Sequence, residues 1–114
     1  MSTQQISQDQ WEEFLSAFSA HNQTRQVIVD IESAEYGPQR VVDRRPLVAI
    51  EPDLKSEHEK TITVIAGDTQ GDAPSSLTHQ VLKPQSIWLK QDEQGNAQAL
   101  DIETEDGRTI IQIS

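Results

Sequence analysis

Cysteine is absent from this chain of 114 residues, which removes disulfides, thiolate nucleophiles and cysteine-bound metals from consideration. Basic residues are scarce: nine Lys and Arg face nineteen Asp and Glu, a formal charge of −10. A field of that sign repels phosphate backbones and anionic lipid surfaces, so neither nucleic acid nor a membrane is an expected partner. Apolar runs are short, far below the ~20 residues that span a bilayer. The opening "MSTQQISQDQW" has no basic or apolar stretch and does not read as a secretory signal, so a cytoplasmic location is the expectation. Apolar residues make up only 34 %, with a mean hydropathy of −0.61. A core made from so little material depends on accurate patterning.

Several chemical motifs are missing as well. No H-E-x-x-H, G-x-S-x-G, G-x-G-x-x-G or G-x-x-x-x-G-K-[ST] occurs, and His21, His58 and His79 are far apart in sequence. Glu57-His58-Glu59 reads as a solvated charged connector. Asp68 and Asp72 in "GDTQGD" lack calcium-loop spacing and the distal bidentate Glu, so they read as a turn. No catalytic residue, metal site or cofactor is expected.

What is present is regular. In "ISQDQWEEFLSAFSAHN", Trp11, Phe14, Leu15 and Phe18 fall on one stripe of a helix. Ser7 and Gln10 have capping-box spacing, Ile6 and Trp11 the spacing of a hydrophobic staple, and Asn22 suits a left-handed helix end. Strand alternation follows. "RQVIVDIES" directs Val27, Val29 and Ile31 to one face, "TITVIAG" directs Ile62, Val64 and Ala66, and "QSIWLKQDE" sets Trp88 opposite Ile87 and Leu89. "RVVDRRPLVAIEPD" is strand-like but interrupted by Pro46, which a central strand excludes. Near the end, Asp106-Gly107 reads as a two-residue type I′ turn pairing Thr104 with Thr109 and Leu100 with Ile113. Leu100, Ile102, Ile111 and Ile113 then share one face, with Asp101, Glu103 and Gln112 on the other.

These elements predict a single α+β domain over 1–114, with residues 1–6 a frayed terminus. One N-terminal amphipathic helix packs on a bent, mostly antiparallel sheet of about six strands, with a half-open barrel left open as an alternative. "WEEFLSAFSAHN", "RRPLVAIEPD", "LTHQVLKPQSIWL" and "ALDIETEDGRTIIQI" together resemble a small bacterial family known only as a domain of unknown function. The resemblance spans nearly the whole chain and implies no catalytic residues.

Candidate contacts are Arg40, Arg44 and Arg45, a third of the positive charge within six residues, and Trp88 on the face away from Ile87. The plainer reading of the arginines is surface pairing with Asp43, Asp30 and Glu32, each pair contributing about 0–1 kcal/mol. His79 reads as a core-edge histidine. The leading expectation is a non-enzymatic protein-interaction or regulatory module with a protein partner or a homo-oligomeric state. The alternative is a small-ligand binder or minor enzyme with its site between the helix and an open sheet end, where His79, Asp68 and Asp72 would act.

Overall fold

The computed structural model describes residues 2–54, 60–68 and 75–113. In chain order the elements are β1 (Ser2–Ile6), a 3-10 turn (Gln8–Gln10), α1 (Trp11–Asn22), β2 (Gln26–Ser33), β3 (Gly37–Asp53), β4 (Thr61–Asp68), β5 (Ser75–Leu82), β6 (Pro84–Gln91), β7 (Ala97–Thr104) and β8 (Gly107–Ile113). All neighbouring strands are antiparallel, in the order β1-β6-β7-β8-β2-β3-β4-β5. The sheet thus has eight strands, not about six. Residues 2–6, expected to fray, form edge strand β1 on β6. "STQQI" carries no apolar alternation. It is held by pairing and by Trp11, whose indole N–H donates to the Ile6 carbonyl at 3.0 Å.

β3 explains how one sheet bends. Its first half pairs with β2, and its second half pairs with β4 from Leu47↔Ala66 onward. Between the pairs Val27↔Arg45 and Val29↔Val42, β3 carries one residue more than β2, a bulge that also places Arg44 at φ 54. A bulge bends its strand and tightens the local twist. Pro46, an interruption in the sequence pattern, sits at this corner, where its missing N–H removes no ladder bond from the strand's interior. Leu47 takes over: its N–H donates to the Arg25 carbonyl at 2.8 Å, and its carbonyl accepts from Thr24 at 2.9 Å. The corner is thereby pinned to the link between α1 and β2.

A second corner joins β5 to β6 through Lys83 alone, at φ 52, although these strands stand eighth and second in the sheet order. The sheet must curl strongly for one residue to connect them. It does not close, because β1 and β5 each pair with a single described strand.

The inner face of the curl holds the core. Val27, Val29, Val42, Leu47, Ile50, Ile62, Val64, Ile87, Leu100, Ile102 and Ile111 are buried there with Trp11, Leu15 and Phe18 from the helix stripe. Each such side chain contributes roughly 1.5–3 kcal/mol on burial. Ser19 fixes the helix to β3, its hydroxyl accepting from the Ile50 N–H at 3.0 Å. The capping box does not form: Gln10 donates its backbone N–H to the Ser7 carbonyl at 2.9 Å, and neither side chain caps. The left-handed residue after the helix is Thr24 (φ 73), while Asn22 stays helical and buried.

The β7–β8 hairpin keeps the predicted faces but not the predicted register. Thr104 pairs with Gly107 and Leu100 with Ile111, so the turn residues are Glu105-Asp106. Each residue's partner is displaced by two positions. A slip of two preserves every face, because side chains alternate with period two, so the pattern of faces fits either register.

Candidate functional site on the outer face of the sheet

Strand register sets a row of residues across six strands on the outer face. Gln5 opposes Trp88, Trp88 opposes Asp101, Asp101 opposes Ile110, Ile110 opposes Asp30, and Asp30 opposes Arg40. A second row runs beside it through Ser86, Glu103, Arg108 and Glu32. Directly opposed residues share a face and lie within reach of one another, and the polar side chains of the two rows bond in three groups: Ser86, Trp88 and Glu103; Asp101, Arg108 and Glu32; and Arg40, Asp30 and Asp43.

Trp88 is half-buried, and its indole N–H donates to Glu103 Oε1 at 2.7 Å; the Ser86 hydroxyl donates to the same oxygen at 2.8 Å. These bonds, Ser86 first and Trp88 second, hold the Glu103 carboxyl below its ordinary range. Asp101 is pushed the other way. It is only 6 % exposed, and burial raises its pKa against the pull of Arg108 and Lys90. Arg108 Nη1 reaches Asp101 Oδ2 at 3.1 Å, and its Nε lies 3.9 Å from Glu32. Asp101 Oδ1 is buried without a hydrogen-bond partner among the described residues. Leaving such an acceptor unmet is costly, so this carboxylate is retained on the face at the expense of stability.

Of the residues singled out in the sequence, Arg40 and Trp88 both lie on this face, with three strands between them. Arg40 grips Asp30 with two bonds, Nε to Oδ1 at 2.9 Å and Nη2 to Oδ2 at 3.3 Å, and lies 3.9 Å from Asp43. It behaves as the plainer surface-pair reading expects. Arg44 and Arg45 sit at the β3 bulge, exposed and without an ion pair among the described residues. Asp101, Glu103, Ser86 and Arg108 were not singled out. Alternation placed the two acids outward, but their link to Trp88 depends on the β6–β7 register, which has no local signal.

His79 lies elsewhere. It opposes the buried Val64, so it points to the inner face, half-buried on edge strand β5, and burial lowers its pKa. It lines a cleft of about 260 Å³ with Ile31, Ser33, Val81, Thr104 and Thr109. No helix residue reaches this cleft, so the expected site combining His79 with the helix is not assembled. The Asp68 side chain, Asp72 and Glu57-His58-Glu59 lie outside the described residues. A cleft of about 570 Å³ at the start of α1 is lined by Gln8, Asp9, Trp11, Glu12, Leu54 and Lys60. Among the described residues no group of three or more His, Asp or Glu is placed to hold a metal ion, and no helix is long and apolar enough to cross a membrane.

Fold and face together define a small α+β protein, one helix on a bent antiparallel sheet whose outer side carries a pinned tryptophan among charges. The chain belongs to the family of unknown function DUF5335, whose sequence pattern matches residues 2–114. No curated protein and no solved structure matches it.

Proposed function

We propose that the protein is a non-enzymatic interaction module that binds a protein partner through the outer face of the sheet, with Trp88 as the anchor. The observation that carries this reading is the Trp88 ring, fixed by its bond to Glu103 and left partly exposed beside Ser86, Gln5 and Asp101. A rigid aromatic ringed by polar groups matches the usual anatomy of a binding hot spot. Pinning the indole in advance also lowers the entropy lost on association. Arg108 and Arg40, both held by carboxylates, add oriented donors at the rim.

Light scattering across a concentration series measures self-association. Affinity capture with the wild type and with Trp88→Ala measures binding to other proteins. The expected result is a partner, or a second copy, that binds the wild type and is lost with Trp88→Ala while the variant keeps its fold by circular dichroism. A strictly monomeric protein with no captured partner, or equal capture by the variant, refutes the proposal.

A further inference from the structure

A groove separate from the outer face runs between α1 and the turn joining β6 to β7. Its volume is about 420 Å³, within the range of roughly 300–1,000 Å³ common for small-ligand sites. Phe14 and Phe18 give it an aromatic wall, their ring centroids 5.8 Å apart and their planes tilted by 38°. Ala17 and Ala97 line it without filling it.

Its polar end is Arg25, and the way this arginine is held is informative. Nη1 donates to Asn22 Oδ1 at 2.8 Å. Asn22 is itself only 5 % exposed and fixed by donating from Nδ2 to the Phe18 carbonyl at 2.8 Å. A neutral amide therefore orients the guanidinium without compensating its charge. Arg40 and Arg108, by contrast, are met by carboxylates. Nineteen of the 114 residues are acidic, yet no described acid lines this groove, and Arg25 makes no ion pair among the described residues. Only one of the five N–H donors that a guanidinium carries is used by Asn22. An uncompensated, oriented guanidinium beside an aromatic wall is complementary to an anion with an apolar body. We infer that the groove binds a small monocarboxylic acid, its carboxylate on the free side of Arg25 and its apolar chain against Phe14 and Phe18. This site does not rest on Trp88 and stands or falls apart from the outer face.

The test is titration of hexanoate into the full ¹⁵N-labelled chain, with hexylammonium as the charge-reversed control. Saturable amide shifts centred on Ala17, Gly95 and Ala97 with hexanoate, and none with hexylammonium, are expected. Arg25→Gln should weaken binding about tenfold or more, the loss typical of a hydrogen bond to a charged group. Ala17→Phe, on the exposed side of the helix, fills the groove without touching the core and should abolish binding in a folded protein. Absence of localised shifts, an equal response to hexylammonium, or unchanged affinity in a folded Arg25→Gln variant overturns the inference. Should Arg25→Gln unfold, binding that survives Ala17→Phe overturns it as well.

Discussion

Gly107→Ala places a methyl group inside the carbonyl oxygen of Glu32, 2.9 Å from the Glu32 carbonyl carbon and 3.0 Å from Ser33 Cα. All three obstacles are backbone of the paired strand β2, so no side-chain rotation relieves the overlap. The pair Ser33↔Gly107 must separate, and with it the adjacent bond from the Ala34 N–H to the Asp106 carbonyl at 3.1 Å. Two backbone hydrogen bonds at roughly 1 kcal/mol each, with about 1 kcal/mol of residual strain at the substituted residue, give a loss of about 3 kcal/mol. That is a large share of the roughly 5–15 kcal/mol that holds a domain folded, and it lowers the midpoint of thermal unfolding by roughly 10–20 °C. Gly95→Ala is the internal control. Gly95 lies at φ +85, and an added Cβ would meet nothing within 4 Å, so it carries only the left-handed penalty of about 1–2 kcal/mol. Thermal and urea unfolding followed by circular dichroism compare the two variants. A Gly107→Ala variant no less stable than Gly95→Ala refutes the claim that close approach to β2, beyond the positive φ of +157, demands glycine at 107.

Single contacts supply three more tests. Ser19→Ala leaves the Ile50 N–H without its acceptor; a loss of about 1–2 kcal/mol and faster amide exchange at Ile50 are expected, and unchanged exchange contradicts the helix–β3 tie. Burial holds the Asp101 carboxyl above the ordinary aspartate value, so the folded chain binds that proton more readily than the unfolded chain, and this residue's contribution to stability falls as pH rises through the folded value. Urea unfolding should accordingly show the wild type gaining on Asp101→Asn as pH is lowered from about 7 toward about 4, and a pH-independent difference contradicts the burial. Burial lowers the pKa of His79 from 6.5, so its imidazole resonance should titrate below that value; titration at or above it places the ring in solvent.

The helix and the inner faces of the strands were legible in the sequence because Trp11, Leu15, Phe18, Val27, Val29, Ile62, Val64 and Ile102 repeat at the periods their elements impose. Three features were not legible, each for a physical reason. β1 owes its form to pairing with β6 and to the bond from Trp11, and neither is visible in "STQQI". The course of β3 through Pro46 follows from a change of partner strand at the corner, which no local propensity encodes. The hairpin register turned on Glu32, a residue distant in sequence whose carbonyl reserves position 107 for glycine. For the candidate site, Trp88 was legible as an outward aromatic and Arg40 as a surface cation. Asp101 was legible only as an outward acid; its burial arises from neighbours on other strands, Trp88 and Ile110, brought beside it by register.

The outer-face row from Trp88 to Arg40 exists only if β7 and β8 pair as described, which cross-strand NOEs report directly. Contacts of Asp101 with Ile110 and of Thr104 with Gly107 are the predicted result. Contacts of Asp101 with Gln112 and of Thr104 with Thr109 would instead show the hairpin slid by two residues and the row broken at its centre.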